Sequence, residues 1–263
     1  MSAPHVFHFN NALVRTPCHA IVKGLRALDL GAPDFQTVLG EHAAYRDALE
    51  AAGVAVEILP ALEAYPDSMF VEDPALVFTE GAIVMRPGAQ SRFGEAAEIA
   101  PILKRRFDRV IDLKGPGFAD GGDILVLPNR VMIGLSDRTN EEGARALSEA
   151  LQSLGKNPTI VRTPPDVLHF KSDCSLLDET TILSTKRLAA SGVFDGLRVI
   201  LTPEGEEGAA NALRINDRVF LGSAFPKTRA ALEAAGYKII PLATSEIAKV
   251  DAGLSCMSLR WYA

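Results

Sequence analysis

The chain has 263 residues, of which 48% are hydrophobic, and a formal net charge of −6. A chain of this length can bury a substantial core and form one or two domains. It has neither the concentrated basic patch that binds nucleic acid nor a run of roughly 18 apolar residues that could span a membrane. We therefore expect no nucleic acid and no membrane among its partners.

The ends and the cysteines of the chain point to a cellular compartment. The first ten residues lack the basic segment and long apolar core of a secretory signal. Cys18, Cys174 and Cys256 form an odd set without the close spacing of a disulfide framework or a zinc site. These features predict a cytoplasmic protein with reduced thiols.

Short apolar runs alternate with stretches of helical periodicity along the whole chain. The pattern predicts strands over residues 12–15, 54–59, 75–78, 82–85, 109–113, 124–127, 131–135, 159–161, 181–184, 198–201, 219–222 and 238–242. It predicts helices over residues 42–52, 94–107, 140–154, 187–191 and 228–235. No Pro/Gly/Ser-rich linker divides these elements, so we expect a single domain over residues 1–263.

A polar residue recurs at a matched position before five of the apolar runs. We call these positions the slots: Asp73, Asp123, Asp173, Asn211 and Cys256. They follow one another at intervals of roughly 40–50 residues, which is the range of repeat architectures. After each slot come an apolar run, a turn, a second apolar run, a helix and a third apolar run.

The fifth unit is split between the two ends of the chain. Few residues remain after Cys256, and the missing strands and helix lie in residues 12–59. Pairing of the two ends would close a ring without an exposed sheet edge. We therefore predict an α/β fold, a five-bladed α/β propeller of ββαβ-type units with the slots around its axis. The alternative is a doubly wound α/β sheet, which would not require a matched polar residue in every unit.

Cys256 is the strongest candidate for a reactive group, because it lies among small residues and occupies a slot. A nucleophilic thiol needs help to ionise and an acid for its leaving group. His169 is the only histidine at the entrance of a predicted axial strand, and Asp120 lies at the equivalent entrance one unit earlier. Asp120 could accept a hydrogen bond from the imidazole and fix its orientation. The alternatives are a buried packing cysteine, an interfacial histidine and a hydrogen-bonded turn.

Carboxylates crowd one segment of the predicted axis. Asp67, Glu72 and Asp73 lie within seven residues of one another. Carboxylates beside a thiol favour a cationic ligand, and a planar guanidinium can form paired hydrogen bonds with them. Asp67 is equally compatible with a solvated loop.

Two arginines follow the second strand of their units, in the loop before the helix. Arg92 and Arg138 would therefore lie at one mouth of the channel and could clamp a carboxylate. Together with the acidic set, they predict a small-molecule substrate that is cationic at one end and anionic at the other, such as an amino acid with a guanidino side chain. Either arginine by itself is equally compatible with a surface loop.

The chain resembles the dimethylarginine dimethylaminohydrolase family of the guanidino-group-modifying, or pentein, superfamily nearly from end to end. The resemblance rests on Leu13-Val14-Arg15, Gly24-Leu25, Asp67, Phe70-Val71-Glu72-Asp73, Arg86-Pro87-Gly88-Ala89, Ser91-Arg92, Asp120-Gly121-Gly122-Asp123, Arg138-Thr139-Asn140, Leu168-His169, Lys171-Ser172 and Ser255-Cys256. It implies a five-bladed propeller that hydrolyses Nω-methylated arginine to citrulline and methylamine or dimethylamine. It implies no cofactor and no metal.

The resemblance also implies roles for individual residues. Cys256 would be the nucleophile, His169 the acid and base, and Asp120 its orienting carboxylate, although some family members have glutamate there. The implied substrate-binding set is Leu25, Asp67, Phe70, Glu72, Asp73, Arg92, Arg138 and Val250. Within that set the two arginines would bind the α-carboxylate. Asp67 and the carbonyls of Leu25 and Val250 would face the α-amino group.

Three other functions remain open at the level of sequence. An arginine deiminase would use the same groups on unmethylated arginine. A metalloenzyme could use His169, Cys256 and aspartates, although their spacing matches no zinc pattern. A non-catalytic propeller could be a binding module. The sequence is also compatible with a homodimer and with a mobile lid over residues 29–37.

Overall fold

The computed structural model describes residues 6–165 and 167–263 and contains five small three-stranded sheets. The strands are β1 Asn11–Arg15, β2 Ala55–Leu59, β3 Ala75–Phe78, β4 Gly81–Val84, β5 Val110–Asp112, β6 Ile124–Val126, β7 Val131–Leu135, β8 Pro158–Arg162, β9 Cys174–Leu176, β10 Thr181–Ser184, β11 Arg198–Leu201, β12 Leu213–Ile215, β13 Arg218–Gly222, β14 Lys238–Leu242 and β15 Ser258–Trp261. The helices are α1 Phe35–Ala51, α2 Glu95–Arg106, α3 Glu141–Ser153, α4 Lys186–Ala189 and α5 Pro226–Ala234.

Every unit has the same sheet topology. The first strand pairs antiparallel with the second, which pairs parallel with the third, as in β3-β4-β5. The fifth sheet has the order β15-β1-β2, and its antiparallel ladder pairs Asn11 with Trp261 and Val14 with Ser258. The two ends of the chain thus close the ring, and the predicted five-unit α/β propeller is confirmed.

The hydrophobic core is divided into five clusters, each shared by two neighbouring units. One cluster joins Leu13 and Leu59 of the split unit to Ala82 and Leu103 of the next. The other four join the remaining neighbours in the same way. Each unit buries its apolar side chains against a neighbouring unit, so each unit depends on its neighbours for stability.

Polar bonds between units lie on the inner side of these clusters. The Asp73 carboxylate accepts a hydrogen bond from Gly122 N at 3.1 Å, one unit further on. Asp123 accepts in the same way from Phe170 N at 2.8 Å. Three of the five slots therefore bond to the backbone of the next unit, because Asn211 Oδ1 also accepts from Ser255 N, at 3.1 Å.

The predicted start of the first helix was wrong. It begins at Phe35 rather than at residue 42, because Asp34 caps it by accepting a hydrogen bond from Thr37 N at 2.8 Å. Residues 35–37 of the expected lid therefore form its first turn.

In the part of the chain that the structure describes, no helix combines the length and apolar character needed to cross a bilayer.

Replacement of the buried Asp123 should destabilise the fold. Its carboxylate also accepts hydrogen bonds from Ser136 Oγ at 2.7 Å and Thr139 Oγ1 at 2.6 Å. Asp123→Ala leaves the buried Phe170 N–H unpaired, and an unpaired buried donor costs about 1–3 kcal/mol. We expect urea denaturation to show a loss of at least that size. The exposed Asp195→Ala is the control, and an equal loss in both variants would contradict the proposed bond between units.

Candidate active site

Cys256 lies in a short 3-10 turn, Leu254–Met257, that leads into β15. Its side chain is partly exposed, its sulfur is 3.9 Å from Asn211 Nδ2, and its carbonyl accepts a hydrogen bond from Glu72 N at 3.2 Å. Burial raises the pKa of the Cys256 thiol to about 11, and the negative charges of Glu72 and Asp73 contribute to that rise. The free protein therefore holds this cysteine as a thiol at neutral pH.

His169 and Asp120 meet as the sequence predicted. The His169 Nε2 atom is 3.0 Å from Asp120 Oδ2, and the imidazole side chain is 12% exposed. Burial by itself lowers the pKa of His169, but the hydrogen bond with Asp120 and the charges of Asp73 and Asp123 outweigh it and raise the pKa to about 9. At neutral pH the imidazole is therefore a cation that can donate a proton.

Gly122 allows the imidazole and the Asp73 carboxylate to approach the same stretch of backbone. A Cβ atom at this position would lie 2.9 Å from both His169 Cγ and Asp73 Oδ1. A side chain there would push the two groups apart, so the glycine of the Asp120-Gly121-Gly122-Asp123 motif is required for close packing.

Two buried carboxylates, Asp67 and Asp73, are held by different partners. Burial raises the pKa of Asp67, whose Oδ1 atom accepts a hydrogen bond from Leu25 N at 3.0 Å. Burial also acts to raise the pKa of Asp73, but the charges of Arg92 and His169 reverse the effect and lower it. Asp73 is therefore ionised at neutral pH, beside the thiol.

Glu72 is the hub of a second charge network. Its Oε1 atom lies 2.5 Å from Lys171 Nζ and 3.1 Å from Arg260 Nη2, and its Oε2 atom accepts from Ser255 Oγ at 3.1 Å. Ser255 precedes Cys256 in the chain. The carboxylate thus connects two cations to the segment that carries the thiol.

The two predicted arginines have different surroundings. Arg138 is 19% exposed, and its Nη1 atom is 3.9 Å from Asp120 Oδ2. Arg92 lies, as predicted, between the second strand and the helix of its unit, in a 3-10 turn, Gln90–Arg92. Its side chain is buried and forms ion pairs with Asp73 and, at 2.6 Å, with Glu95. Its position at a channel mouth stays a prediction. Its role as a ligand for a substrate carboxylate stays a prediction.

The remaining predicted binding residues lie around these groups. Phe70 is buried, and its carbonyl accepts a hydrogen bond from Arg92 Nη2 at 2.9 Å. Val250 is also buried, and a Cβ atom on Gly24, the residue before Leu25, would lie 2.9 Å from its Cγ1 atom and 3.0 Å from Asp67 Oδ1. The segments of Leu25, Asp67 and Val250 therefore pack against one another.

Asp73, Asp120 and His169 could together offer three ligand atoms to a metal ion, since those atoms lie within 4.8 Å of one another. Protein donors already use them. Asp73 pairs with Arg92, and Asp120 accepts from Gly88 N at 2.7 Å as well as contacting His169. A cation would have to break these bonds, so the geometry fits a hydrogen-bonded acid–base pair better than a metal centre.

Sequence reasoning missed several members of the site. Lys171 and Arg260, which hold Glu72, received no role, and neither did Glu95, which holds Arg92. Lys171 lies two residues after His169, and that proximity was an available signal. Glu95 lies three residues after Arg92, and that spacing was also an available signal. Arg260 and Glu72 are 188 residues apart, so their pairing left no local pattern.

Comparisons with solved structures agree with the fold. A citrulline complex of a cysteine-to-serine mutant of the Pseudomonas aeruginosa dimethylarginine dimethylaminohydrolase matches with a TM-score of 0.93 and 38% identity, over 97% of this chain and 100% of that one. The product-bound N-terminal domain of ArgZ, a cyanobacterial arginine dihydrolase, matches with a TM-score of 0.86 at 17% identity, over 95% and 96% of the two chains. The second likeness shows the shared fold alone.

The fold and the site together define a five-unit α/β propeller protein centred on a cysteine, a histidine and carboxylates. The family model described as "N,N dimethylarginine dimethylhydrolase, eukaryotic" matches residues 33–158. The N(G),N(G)-dimethylarginine dimethylaminohydrolase of Pseudomonas aeruginosa is 38% identical over 254 residues, 96% of this chain and 100% of the relative. That of Streptomyces coelicolor is 33% identical, over 95% and 96% of the two chains. The chain belongs to the dimethylarginine dimethylaminohydrolase family.

The raised pKa of Cys256 gives a direct prediction for alkylation. Because only the thiolate reacts, the iodoacetamide rate at Cys256 should keep rising about tenfold per pH unit from pH 7 to 10. A thiol with the ordinary pKa of 9.0 would level off near pH 9. Peptide mass spectrometry separates Cys256 from the buried Cys18 and Cys174.

Glu72→Gln should make Cys256 react faster at pH 8, because one of the charges that raise its pKa is removed. Glu80→Gln, at a carboxylate that pairs with Lys156, is the matched control and should leave the rate unchanged. A wild-type alkylation rate that levels off at or below about pH 9 would contradict the raised pKa of Cys256.

Proposed function

We propose that the protein hydrolyses Nω-methylated L-arginine to L-citrulline and dimethylamine or methylamine. One observation carries the proposal: a cysteine thiol, an imidazole–carboxylate pair and two buried carboxylates meet around one axis in a member of this family. The citrulline complex of the Pseudomonas aeruginosa relative supports the same substrate class.

Substrate charge would activate the nucleophile. In the free protein burial, together with the charges of Glu72 and Asp73, holds the thiol protonated. A guanidinium seated against these carboxylates offsets their effect and stabilises the sulfur anion. Binding of the cation would therefore release a proton and leave the thiolate facing the guanidinium carbon.

The reaction then follows in two steps. The Cys256 thiolate forms a bond to the guanidinium carbon, His169 gives its proton to the departing amine, and a covalent thiouronium remains. Neutral His169 next takes a proton from water, the oxygen bonds to the same carbon, and the carbon–sulfur bond breaks. As the carbon–oxygen double bond of citrulline forms, the hydroxyl proton returns to the sulfur. Citrulline then leaves, with Cys256 again a thiol and His169 again an imidazolium.

Asp120 would act on His169 rather than on the substrate. Its hydrogen bond fixes the ring orientation and stabilises the imidazolium. The carboxylate of this aspartate is held in turn by Gly88 N and lies against Arg138. The general acid therefore approaches the substrate in one orientation.

The amino-acid end of the substrate would be bound by a separate set of groups. Arg138 is the partly exposed cation that can reach an α-carboxylate. Arg92 would have to exchange its ion pair with Asp73 for such a contact. Asp67 and the carbonyls of Leu25 and Val250 would face the α-amino group.

We also propose that residues 1–263 act as one cytoplasmic domain, and a homodimer stays a prediction.

Citrulline release from arginine, monomethylarginine and asymmetric dimethylarginine, measured side by side, tests the function. We expect kcat/KM to be higher for the two methylated compounds. Cys256→Ser should bind these compounds yet lose turnover, because a serine hydroxyl has far too high a pKa to ionise in this way. Preference for unmethylated arginine would identify an arginine deiminase, and full turnover by Cys256→Ser would overturn the mechanism.

Arg138→Ala should separate substrate clamping from chemistry. Loss of a charge-assisted bond should cost about 2–4 kcal/mol in kcat/KM for methylarginine, but little for methylguanidine, which has no carboxylate. His169→Ala should reduce turnover of both compounds, because each needs its leaving amine protonated. The exposed Arg145→Ala on α3 is the control. Equal losses for both compounds in Arg138→Ala would show that Arg138 supports the fold instead.

A further inference from the structure

A cavity of about 400 Å³ extends along the propeller axis, away from Cys256. We call it the axial cavity. Residues of all five inner strands line it, namely β3, β6, β9, β12 and β15. Each of these strands begins one or two residues after a slot, so the cavity lies beyond the ring of slots. Its volume is in the range of small-molecule sites.

The inner end of the axial cavity is formed by the charge network of Glu72. Lys171, Arg260 and Ser255, the partners of that carboxylate, line the cavity with it. One carboxylate here faces two cations. At the outer rim Lys156 is neutralised by Glu80, at 2.7 Å.

Arg214 adds a further positive charge to the wall. Its guanidinium donates hydrogen bonds to two backbone carbonyls, Asn216 O at 2.6 Å and Leu177 O at 3.2 Å, and lies 5.1 Å from the centre of the Phe7 ring. Among the residues that the structure describes, no carboxylate lies within ion-pair distance of it. Burial lowers the pKa of Arg214, although the charges of Tyr237, Asp178 and Asp217 act in the opposite direction.

Two further hydrogen-bond donors on the wall lack protein acceptors in the described structure. They are the Ser175 hydroxyl, on a residue that is 6% exposed, and the Nε atom of Arg260. A buried donor without a partner is costly, and the guanidinium Nε–H can only donate. Both groups suit a ligand that supplies oxygen acceptors.

Much of the rest of the wall is apolar. It includes Phe7, Phe9, Leu76, Leu125, Leu176 and Leu213. A free inorganic anion would leave this surface without contacts. An apolar body that carries one carboxylate would use both the cations and the aliphatic and aromatic walls.

We propose that the axial cavity is a second small-molecule site, which binds a carboxylate with an apolar body and acts on Cys256 through Glu72. The ligand anion would compete with Glu72 for Lys171 and Arg260. The Glu72 charge would then be less well neutralised. The charge of Glu72 opposes ionisation of Cys256, whereas the charge of Lys171 favours ionisation of Cys256. Occupancy of the axial cavity should therefore make the thiol less reactive.

Calorimetric titration with phenylacetate tests the site. This measurement, the alkylation assay and the crystal structure described below do not depend on turnover. We expect one site per chain, and at least about tenfold weaker binding of the uncharged phenylacetamide. Bound phenylacetate should slow the alkylation of Cys256 by iodoacetamide at pH 8. A crystal structure with 4-bromophenylacetate should place the bromine signal in the axial cavity.

Variants separate this site from the active site. Arg214→Met should weaken phenylacetate binding at least about tenfold, and Arg214→Lys, which keeps the charge but not the fork of donors, should weaken it less. Val77→Trp should also weaken binding by filling the cavity without touching the bonds of Arg214. The Arg138→Ala variant should bind phenylacetate as tightly as the wild type does.

Three results would overturn the proposal. The first is no heat of binding at about 10 mM phenylacetate, since a real site of this type binds more tightly than that. The second is binding that is lost in Arg138→Ala and kept in Arg214→Met, because the probe would then occupy the active site. The third is equal affinity for phenylacetate and phenylacetamide.

Discussion

Hydrogen bonds from an axial side chain to the backbone of the next unit connect the architecture of this protein to its chemistry. Asp73 accepts from Gly122 N, Asp123 from Phe170 N, and Asn211 from Ser255 N. Each bond fixes the turn that carries a functional side chain, because those turns hold Asp120, His169 and Cys256 or their neighbours. The same contacts that hold adjacent units together therefore set the positions of the acid–base pair and the thiol.

Closure of the ring lets these bonds between neighbouring units hold the whole site in place. No unit could bury its apolar face alone, and β1 joins the first part of the chain to β15 at its end. Cys256 is thus held between a segment of the first unit, through Glu72 N, and Asn211 of the fourth. A nucleophile placed at the seam of the ring is constrained from both sides.

Charge balance at the axis sets the protonation state of the site. Burial, together with the charges of Glu72 and Asp73, keeps Cys256 protonated. Asp120, Asp73 and Asp123 keep His169 charged against the effect of burial. The resting site is therefore unreactive towards weak electrophiles and supplies its own acid. Arg92 and Lys171 neutralise part of the acidic charge from behind, which lets several carboxylates share a buried region.

The sequence by itself determined the number of units, their internal order and the pairing of the two ends, because strand period, helix period and slot spacing are local properties of the chain. Strands such as Ala75–Phe78 and Val131–Leu135 were predicted with their observed bounds. The matched slots and the family motifs also singled out Cys256, His169 and Asp120 before any contact was known. The start of α1 was missed because its cap, Asp34, precedes a helix of weak amphipathic pattern.

Only the tertiary structure decided which charges meet. Arg92 reads in the sequence as a loop residue, yet it is buried against Asp73 and Glu95, and Arg260 reaches Glu72 from the far end of the chain. The axial cavity likewise exists only where five strands from separate units converge. Ion pairing and cavity shape depend on distances between residues that are remote in sequence, and no local pattern records those distances.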